Sequence, residues 1–261
     1  KLGDVRDFNG AGRLADVLEY FITSRGNRLA VAAHPNRTVA QTVAGQLAGR
    51  GMTTAAVTTA NDLQRAATES ADVELLLVSD ALNEQSLWSV IEALRVHPKT
   101  ARLPIAILAR STNREEANRA AEAHRRVLVI PETIDEETLD VALPQLFAMF
   151  DQDQISPQRR FAQAEAAAKM LQRLTTGPES VDIDLEVRTP RLVAALAEPE
   201  MTAEMTQLLS RTQSREAQRA LLDLASQHAR PLDVRRAAAA AFRKAAVSFG
   251  VLLSEAQVAA Q

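Results

Sequence analysis

The sequence predicts an α/β domain built on a five-stranded, doubly wound parallel sheet, followed by an all-α lobe. Short apolar runs alternate with amphipathic helical patterns five times between about residues 28 and 150. One run, VELLLVSD, is almost continuously apolar, as expected for a strand that is covered by helices on both faces. From about residue 151 the strand pattern stops and helical patterns continue. These observations predict two different lobes in one chain.

Each predicted strand is followed by its own helix. The strands are predicted in RLAVAAH, at Leu29 to Ala33, and in MTTAAVTT, VELLLVSD, LPIAILA and VLVI. The helices are predicted in RTVAQTVAGQLAGRG, ANDLQRAATES, EQSLWSVIEALRVH, NREEANRAAEAH and EETLDVALPQLFAMF. Because crossovers between parallel strands are right-handed, this alternation limits the topology to a few choices.

The C-terminal lobe is predicted to be a stack of helices. Its helical patterns lie in PQRRFAQAEAAAKMLQRL, RLVAALA, TAEMTQLLSR, SREAQRALLDLASQ and PLDVRRAAAAAFRKAAVSF, whereas SVDIDLEV is ambiguous. Over about residues 188 to 261 the pattern resembles HEAT-like helical repeats, through Asp233, Val234, Arg235, Ala237 and Ala241. The stretch before residue 28 resembles the end of such a repeat. The expected domains are therefore residues 1–27, 28–150 and 151–261.

Composition excludes several classes of function. The formal net charge is -3 with both signs mixed, and aromatic residues make up 3%, so a nucleic-acid surface is not expected. The chain has no cysteine, which excludes disulfides and thiolate metal sites. No apolar run approaches the ~20 residues of a membrane span, so neither a membrane partner nor a membrane location is expected. We expect a cytoplasmic protein with no cofactor and no metal.

The order of elements in residues 28 to 150 resembles the receiver domain of bacterial response regulators. The resemblance rests on the fivefold alternation, on ALRVHPKTARLPIAILA and on the strand–proline junction at Ile130-Pro131. It implies a phosphoacceptor site at the carboxyl edge of the sheet. Such a site needs an acidic pair after the first strand, a nucleophilic aspartate after the third, a hydroxyl after the fourth and a lysine after the fifth.

This sequence departs from that pattern at each position. Ala33 and His34 stand where the acidic pair is expected, and Ser79 stands at the acceptor position, with Asp80 one residue later. Ala109 replaces the hydroxyl, and Ile130 replaces the lysine directly before Pro131. The sequence therefore predicts a pseudo-receiver with no catalytic residue. The junction also implies a cis Ile130-Pro131 bond, as in the family.

The leading hypothesis is a non-catalytic signalling or scaffold protein that binds a protein partner. One alternative is a phosphorylation switch that uses Asp80, and another is a small-molecule module at the carboxyl edge of the sheet. A homo-oligomer is left open. The helix in LDVALPQLFAMF carries more apolar positions than one face needs, so Phe147 and Phe150 are expected to contact the helical segment from Phe161 to Leu171.

Overall fold

A computed structural model describes residues 10–82, 85–133, 135–149, 155–176, 180–254 and 256–257. The chain divides into two compact units. The sheet unit comprises Gly26–Arg160, and the helical unit comprises Lys1–Arg25 together with Phe161–Gln261. These limits differ from the expected domains, because the N-terminal segment joins the C-terminal helices and the sheet unit continues past residue 150 to Arg160.

The sheet has the flavodoxin-like strand order that the sequence predicts. Its five strands are all parallel and lie in the order β2-β1-β3-β4-β5. Their bounds are β1 Leu29–Ala33, β2 Thr53–Val57, β3 Val73–Ser79, β4 Ile105–Ala109 and β5 Val127–Pro131. The chain passes from β1 to β2 on one side and then to β3 on the other, so the strand order reverses between β1 and β3. In open α/β sheets, ligand sites lie at the carboxyl ends of strands near such a reversal.

Five helices cover the two faces of the sheet. They are α2 Arg37–Ala48, α3 Ala60–Glu69, α4 Leu87–Val96, α5 Arg114–Ala123 and α6 Glu136–Ala148. Side-chain oxygens cap the first turns of four of them, from Asn36, Thr59, Ser86 and Asp135. The hydrogen bonds from Thr138 lower the pKa of the Asp135 carboxyl, which stands at the start of α6.

The sheet separates two apolar cores. Helices α3, α4 and α5 pack on one face with Val31, Leu76 and Ile107. Helices α2 and α6 pack on the other face, where Leu77 and Leu108 are fully buried. Since successive residues of a strand point to opposite faces, the apolar run of β3 supplies both cores.

A half-buried arginine, Arg95, binds the chain at the amino ends of β4 and β5. Arg95, on α4, donates from Nη1 to the carbonyl of Leu103 at 2.9 Å and from Nη2 to that of Arg126 at 3.1 Å. Arg126 has a positive φ of 61°, which is uncommon for a non-glycine residue. Burial, together with the nearby charge of Arg126, lowers the pKa of Arg95 to about 10. The arginine therefore binds backbone carbonyls of the two loops that lead into adjacent strands.

The helical unit has a core of its own. Its helices are α1 Ala11–Ile22, α7 Pro157–Thr176, α8 Thr189–Ala195, α9 Thr202–Leu209, α10 Arg215–Ser226 and α11 Leu232–Phe249, of which α7 begins in the sheet unit. Leu18 of α1 is buried with Leu192, Leu208 and Leu221 of the later helices, which explains why the N-terminal segment belongs to this unit. The ambiguous stretch SVDIDLEV forms no strand.

Polar contacts join α1 to α8 and fix the end of α11. Arg188 and Arg191 both form ion pairs with the buried Glu19, at 3.4 and 2.8 Å. The buried Gln218 donates from Nε2 to the carbonyl of Gly250, and its Oε1 accepts from the amide of Leu252, both at 2.8 Å. In the described part of the chain, no helix is both long enough and apolar enough to cross a membrane.

Candidate site at the carboxyl edge of the sheet

The residues that the sequence singles out lie together at one edge of the sheet. Ala33, Ser79, Ala109 and Pro131 are the last residues of β1, β3, β4 and β5. His34 and Asp80 follow the first two of these strands directly. Because the strands are parallel, their carboxyl ends share one edge. The structure therefore brings the departures from the receiver pattern to the edge where a receiver would have its site.

Asp80 is enclosed and paired with the arginine that follows β4. Its side chain is only 1% exposed. Arg110 donates from Nε to Oδ1 at 3.1 Å and from its backbone amide to Oδ2 at 3.2 Å. The amide of Asp80 also donates to the carbonyl of Leu108 at 3.0 Å, which continues the pairing of β3 with β4. Both carboxylate oxygens thus accept a hydrogen bond from a single residue.

His34 forms a second polar pair across the same edge. Its ring is buried, and Nδ1 accepts from the backbone amide of Asn36 at 3.0 Å. The proton of the neutral ring is therefore placed on Nε2, which lies 3.0 Å from Oε1 of Glu132 and donates to it. Glu132 follows Pro131, so this contact joins the end of β1 to the end of β5. Both nitrogens of His34 are hydrogen-bonded, which agrees with a structural role.

The remaining positions of this edge are apolar or locally bonded. Ala33 is fully buried, and Ala109 and Ile130 are 6% and 5% exposed. Ser79 is also buried, and its Oγ accepts from the amide of Ala81 at 3.1 Å. These described side chains are therefore packed within the fold.

The expectation of a cis Ile130-Pro131 bond is wrong. The structure contains no cis peptide bond among the described residues, and both residues of this bond are described. Pro131 continues β5 and pairs with Ala109, and the amide of Glu132 donates to the carbonyl of Ala109 at 3.0 Å. A trans bond keeps the chain extended in this pairing, and most X–Pro bonds in folded proteins are trans.

The other half of the edge is open. A cleft of about 420 Å³ lies at the ends of β4 and β5, which is within the usual range for small-ligand pockets. Its apolar part is formed by Ala109, Ile130 and Pro131. Its polar part is formed by Arg110, Ser111, Thr112, Arg114, Glu132 and Thr133. The edge therefore has a half at β1 and β3 in which the described side chains are buried (the filled half), and an open polar half at β4 and β5.

The chemistry available here differs from that of a phosphoacceptor site. A receiver needs carboxylates that are free to hold a divalent metal, whereas the Asp80 carboxylate binds Arg110. Within the described residues, no group of three or more histidine and acidic side chains is placed to hold a metal ion. The filled half can position charges and hydrogen bonds, and the open half can accommodate a small polar molecule.

Sequence reasoning missed Arg110 and Glu132. Both follow directly after predicted strands, in PIAILAR and VLVIPE. The adjacent pairing of β3 with β4 would have placed Arg110 beside Asp80. The partner of Glu132, His34, directly follows β1, which is not a neighbour of β5 in the sheet, so no pairing rule could have indicated the contact.

Phe147 lies on α6 and packs within the sheet unit. It contacts the core beneath α6, and the guanidinium carbon of Arg28 lies 4.8 Å from the centre of its ring. Its expected contact with the segment from Phe161 to Leu171 stays a prediction. Phe150 lies outside the described residues.

Comparison with known proteins gives a match of fold over part of the chain. The chemotaxis response regulator CheY4 of Vibrio cholerae matches 46% of this chain and 98% of its own, with 13% sequence identity and a TM-score of 0.40. No family model matches the sequence, and no curated protein matches it. The strand order β2-β1-β3-β4-β5 places the sheet unit in the flavodoxin-like class.

Proposed function

We propose that this chain is a non-catalytic signalling or scaffold protein, in which a receiver-like unit that accepts no phosphate acts with a helical unit to bind another protein. The receiver-like fold of the sheet unit fits a role in signalling. The proposal has no enzymatic step and requires no cofactor.

The enclosure of Asp80 is the observation that carries this proposal. A phosphoacceptor must expose one carboxylate oxygen to the incoming phosphorus atom and must have its charge offset by a metal. The Asp80 side chain is 1% exposed, and both of its oxygens accept from Arg110 at 3.1 and 3.2 Å. Attack on a phosphoryl donor would first require this pair to open.

The helical unit would supply the interaction surface as a HEAT-like stack. Ala238, Ala241 and Ala245 form a buried seam of small residues along α11. The guanidinium Nε of Arg235 donates to the carbonyl of Ala225 at 3.0 Å, which ties the first turn of α11 to the last turn of α10. Small residues allow close approach of neighbouring helices, and stacked helix pairs present extended surfaces to partners.

Incubation with acetyl phosphate and Mg²⁺, followed by intact-mass measurement, tests the absence of phosphate transfer. We expect no covalent phosphoryl adduct under conditions that label an active receiver in parallel. An adduct that disappears in Asp80→Asn would overturn the proposal and would favour the alternative, a phosphorylation switch with the helical unit as its output. An adduct that persists in Asp80→Asn would also overturn it, since another residue would then be the acceptor.

A further inference from the structure

We infer that the cleft at the ends of β4 and β5 binds a small phosphate ester whose body carries a hydrogen-bond donor. This site is adjacent to the Asp80 position and shares Arg110 with it, and the inference does not depend on the proposed scaffold function. The cleft is open and polar, whereas the described side chains at the ends of β1 and β3 are buried.

The cations of the cleft are available to a ligand. Arg110 uses Nε and its backbone amide to bind Asp80, and its terminal Nη1 and Nη2 have no partner among the described residues. The enclosed Asp80 carboxylate binds Nε of Arg110 and so orients the guanidinium group before any ligand binds. Arg114 is exposed and has no hydrogen bond or ion pair in the described structure. Two guanidinium groups on one wall suit a phosphate, which guanidinium binds in a bidentate way.

Hydroxyl groups complete the polar wall. Ser111, Thr112 and Thr133 line the cleft, and none of these hydroxyls is hydrogen-bonded within the described residues. Each hydroxyl can donate to a phosphate oxygen. Such an arrangement binds phosphate without covalent chemistry and without a metal.

Glu132 and the apolar part of the cleft determine the chemistry of the rest of the ligand, to which the phosphate is attached. Glu132 is the one carboxylate in the lining, and one of its oxygens accepts from His34. A carboxylate repels a bare anion but accepts a hydrogen bond from an ammonium or hydroxyl group on the ligand. Ile130 and Pro131 provide the apolar surface between the two ends. The ligand therefore places its phosphate against the arginines and its donor against Glu132.

A titration of the full chain with O-phosphoserine tests this inference, because this molecule carries both groups. Amide chemical shifts should change at residues 110–114 and at Glu132 and Thr133, without Mg²⁺ and without a mass change. Inorganic phosphate, which lacks the donor, should bind more weakly. Arg114→Gln should weaken O-phosphoserine binding about tenfold, since it removes a charge-assisted contact. Arg119→Gln, on the same helix but outside the cleft, should leave binding unchanged.

Glu132→Gln separates recognition of the donor from recognition of the phosphate. It should weaken O-phosphoserine binding and leave inorganic phosphate binding unchanged or stronger. Thermal unfolding of each variant should match that of the parent, because Arg114 has no hydrogen bond or ion pair to the described residues and Gln can still accept from His34. Absence of O-phosphoserine binding at millimolar concentration would overturn the inference. Equal effects of Arg114→Gln and Arg119→Gln would also overturn it.

Discussion

The pair of Asp80 and Arg110 should contribute measurable stability to the sheet unit. Alanine substitutions at the two positions, singly and together, give a double-mutant cycle that isolates the interaction between the two side chains, since the backbone amide of residue 110 is kept in every variant. The Asp80 side chain is 1% exposed, but that of Arg110 is 42% exposed. Breaking a fully buried pair costs about 3–5 kcal/mol, and exposed pairs contribute about 0–1 kcal/mol. Because solvent screens the arginine, we expect a coupling free energy of about 1–2 kcal/mol.

Tryptophan fluorescence during urea unfolding measures this coupling in the sheet unit. Trp88 is the only tryptophan of the chain and lies on α4, within the sheet unit. Its signal therefore reports the unfolding of that unit separately from the helical unit. The matched control is the cycle of Asp62 and Arg65, whose side chains are 33% and 67% exposed and which should couple by no more than about 0.5 kcal/mol.

A coupling no larger than that of the control would refute the reasoning. It would mean that the two residues are in contact without a stable interaction, so the Asp80 carboxylate would be available to other partners. An Asp80→Ala variant with a larger free energy of unfolding than the parent would also contradict a stabilising pair. This conclusion would not apply if the double mutant showed the same increase.

Three further substitutions test contacts within the two units. Glu132→Ala leaves the buried Nε2–H of His34 without an acceptor and should cost about 1–2 kcal/mol of unfolding free energy by Trp88 fluorescence; no loss would mean that water replaces the acceptor. Leu143→Ala removes a buried side chain of α6 and should cost about 2–4 kcal/mol of unfolding free energy. Val141→Ala on the same helix, where the side chain is 59% exposed, should change this free energy by about 0.5 kcal/mol or less. Similar values for the two variants would contradict the orientation of α6. Gln218→Ala removes the two hydrogen bonds that fix the chain after α11 and should hasten proteolysis beyond residue 250, so an unchanged cleavage pattern would count against this role.

The strands of the sheet were predictable because their signal is local. Each apolar run is short and is followed by a helical pattern, and this alternation favours one class of sheet. The run from Leu29 to Ala33 matches β1 in full, and β3 follows the apolar part of VELLLVSD. Strand order also follows closely, since right-handed crossovers leave few topologies.

The polar contacts of the site depend on geometry that a linear pattern does not contain. A cation after a strand, such as Arg110, looks the same in sequence whether it is solvated or paired with Asp80. The contact of His34 with Glu132 spans two intervening strands. The trans bond before Pro131 differs from the family expectation. The resemblance predicts a strand–proline junction, but it does not determine whether the bond before the proline is cis or trans. The cleft could not be predicted from the sequence, because it depends on the relative positions of the loops after β4 and β5.

Titration with beryllofluoride, a mimic of the phosphoryl group, tests the central claim most directly. Amide spectra of the full chain are recorded with beryllofluoride in the presence and absence of Mg²⁺. The account predicts no Mg²⁺-dependent shift at the amides of Ala33, His34 and Asp80, because Arg110 binds the Asp80 carboxylate and alanine and histidine stand where metal ligands are needed. Mg²⁺-dependent shifts at these three amides that vanish in Asp80→Asn would contradict it, since they would show a working phosphoacceptor site.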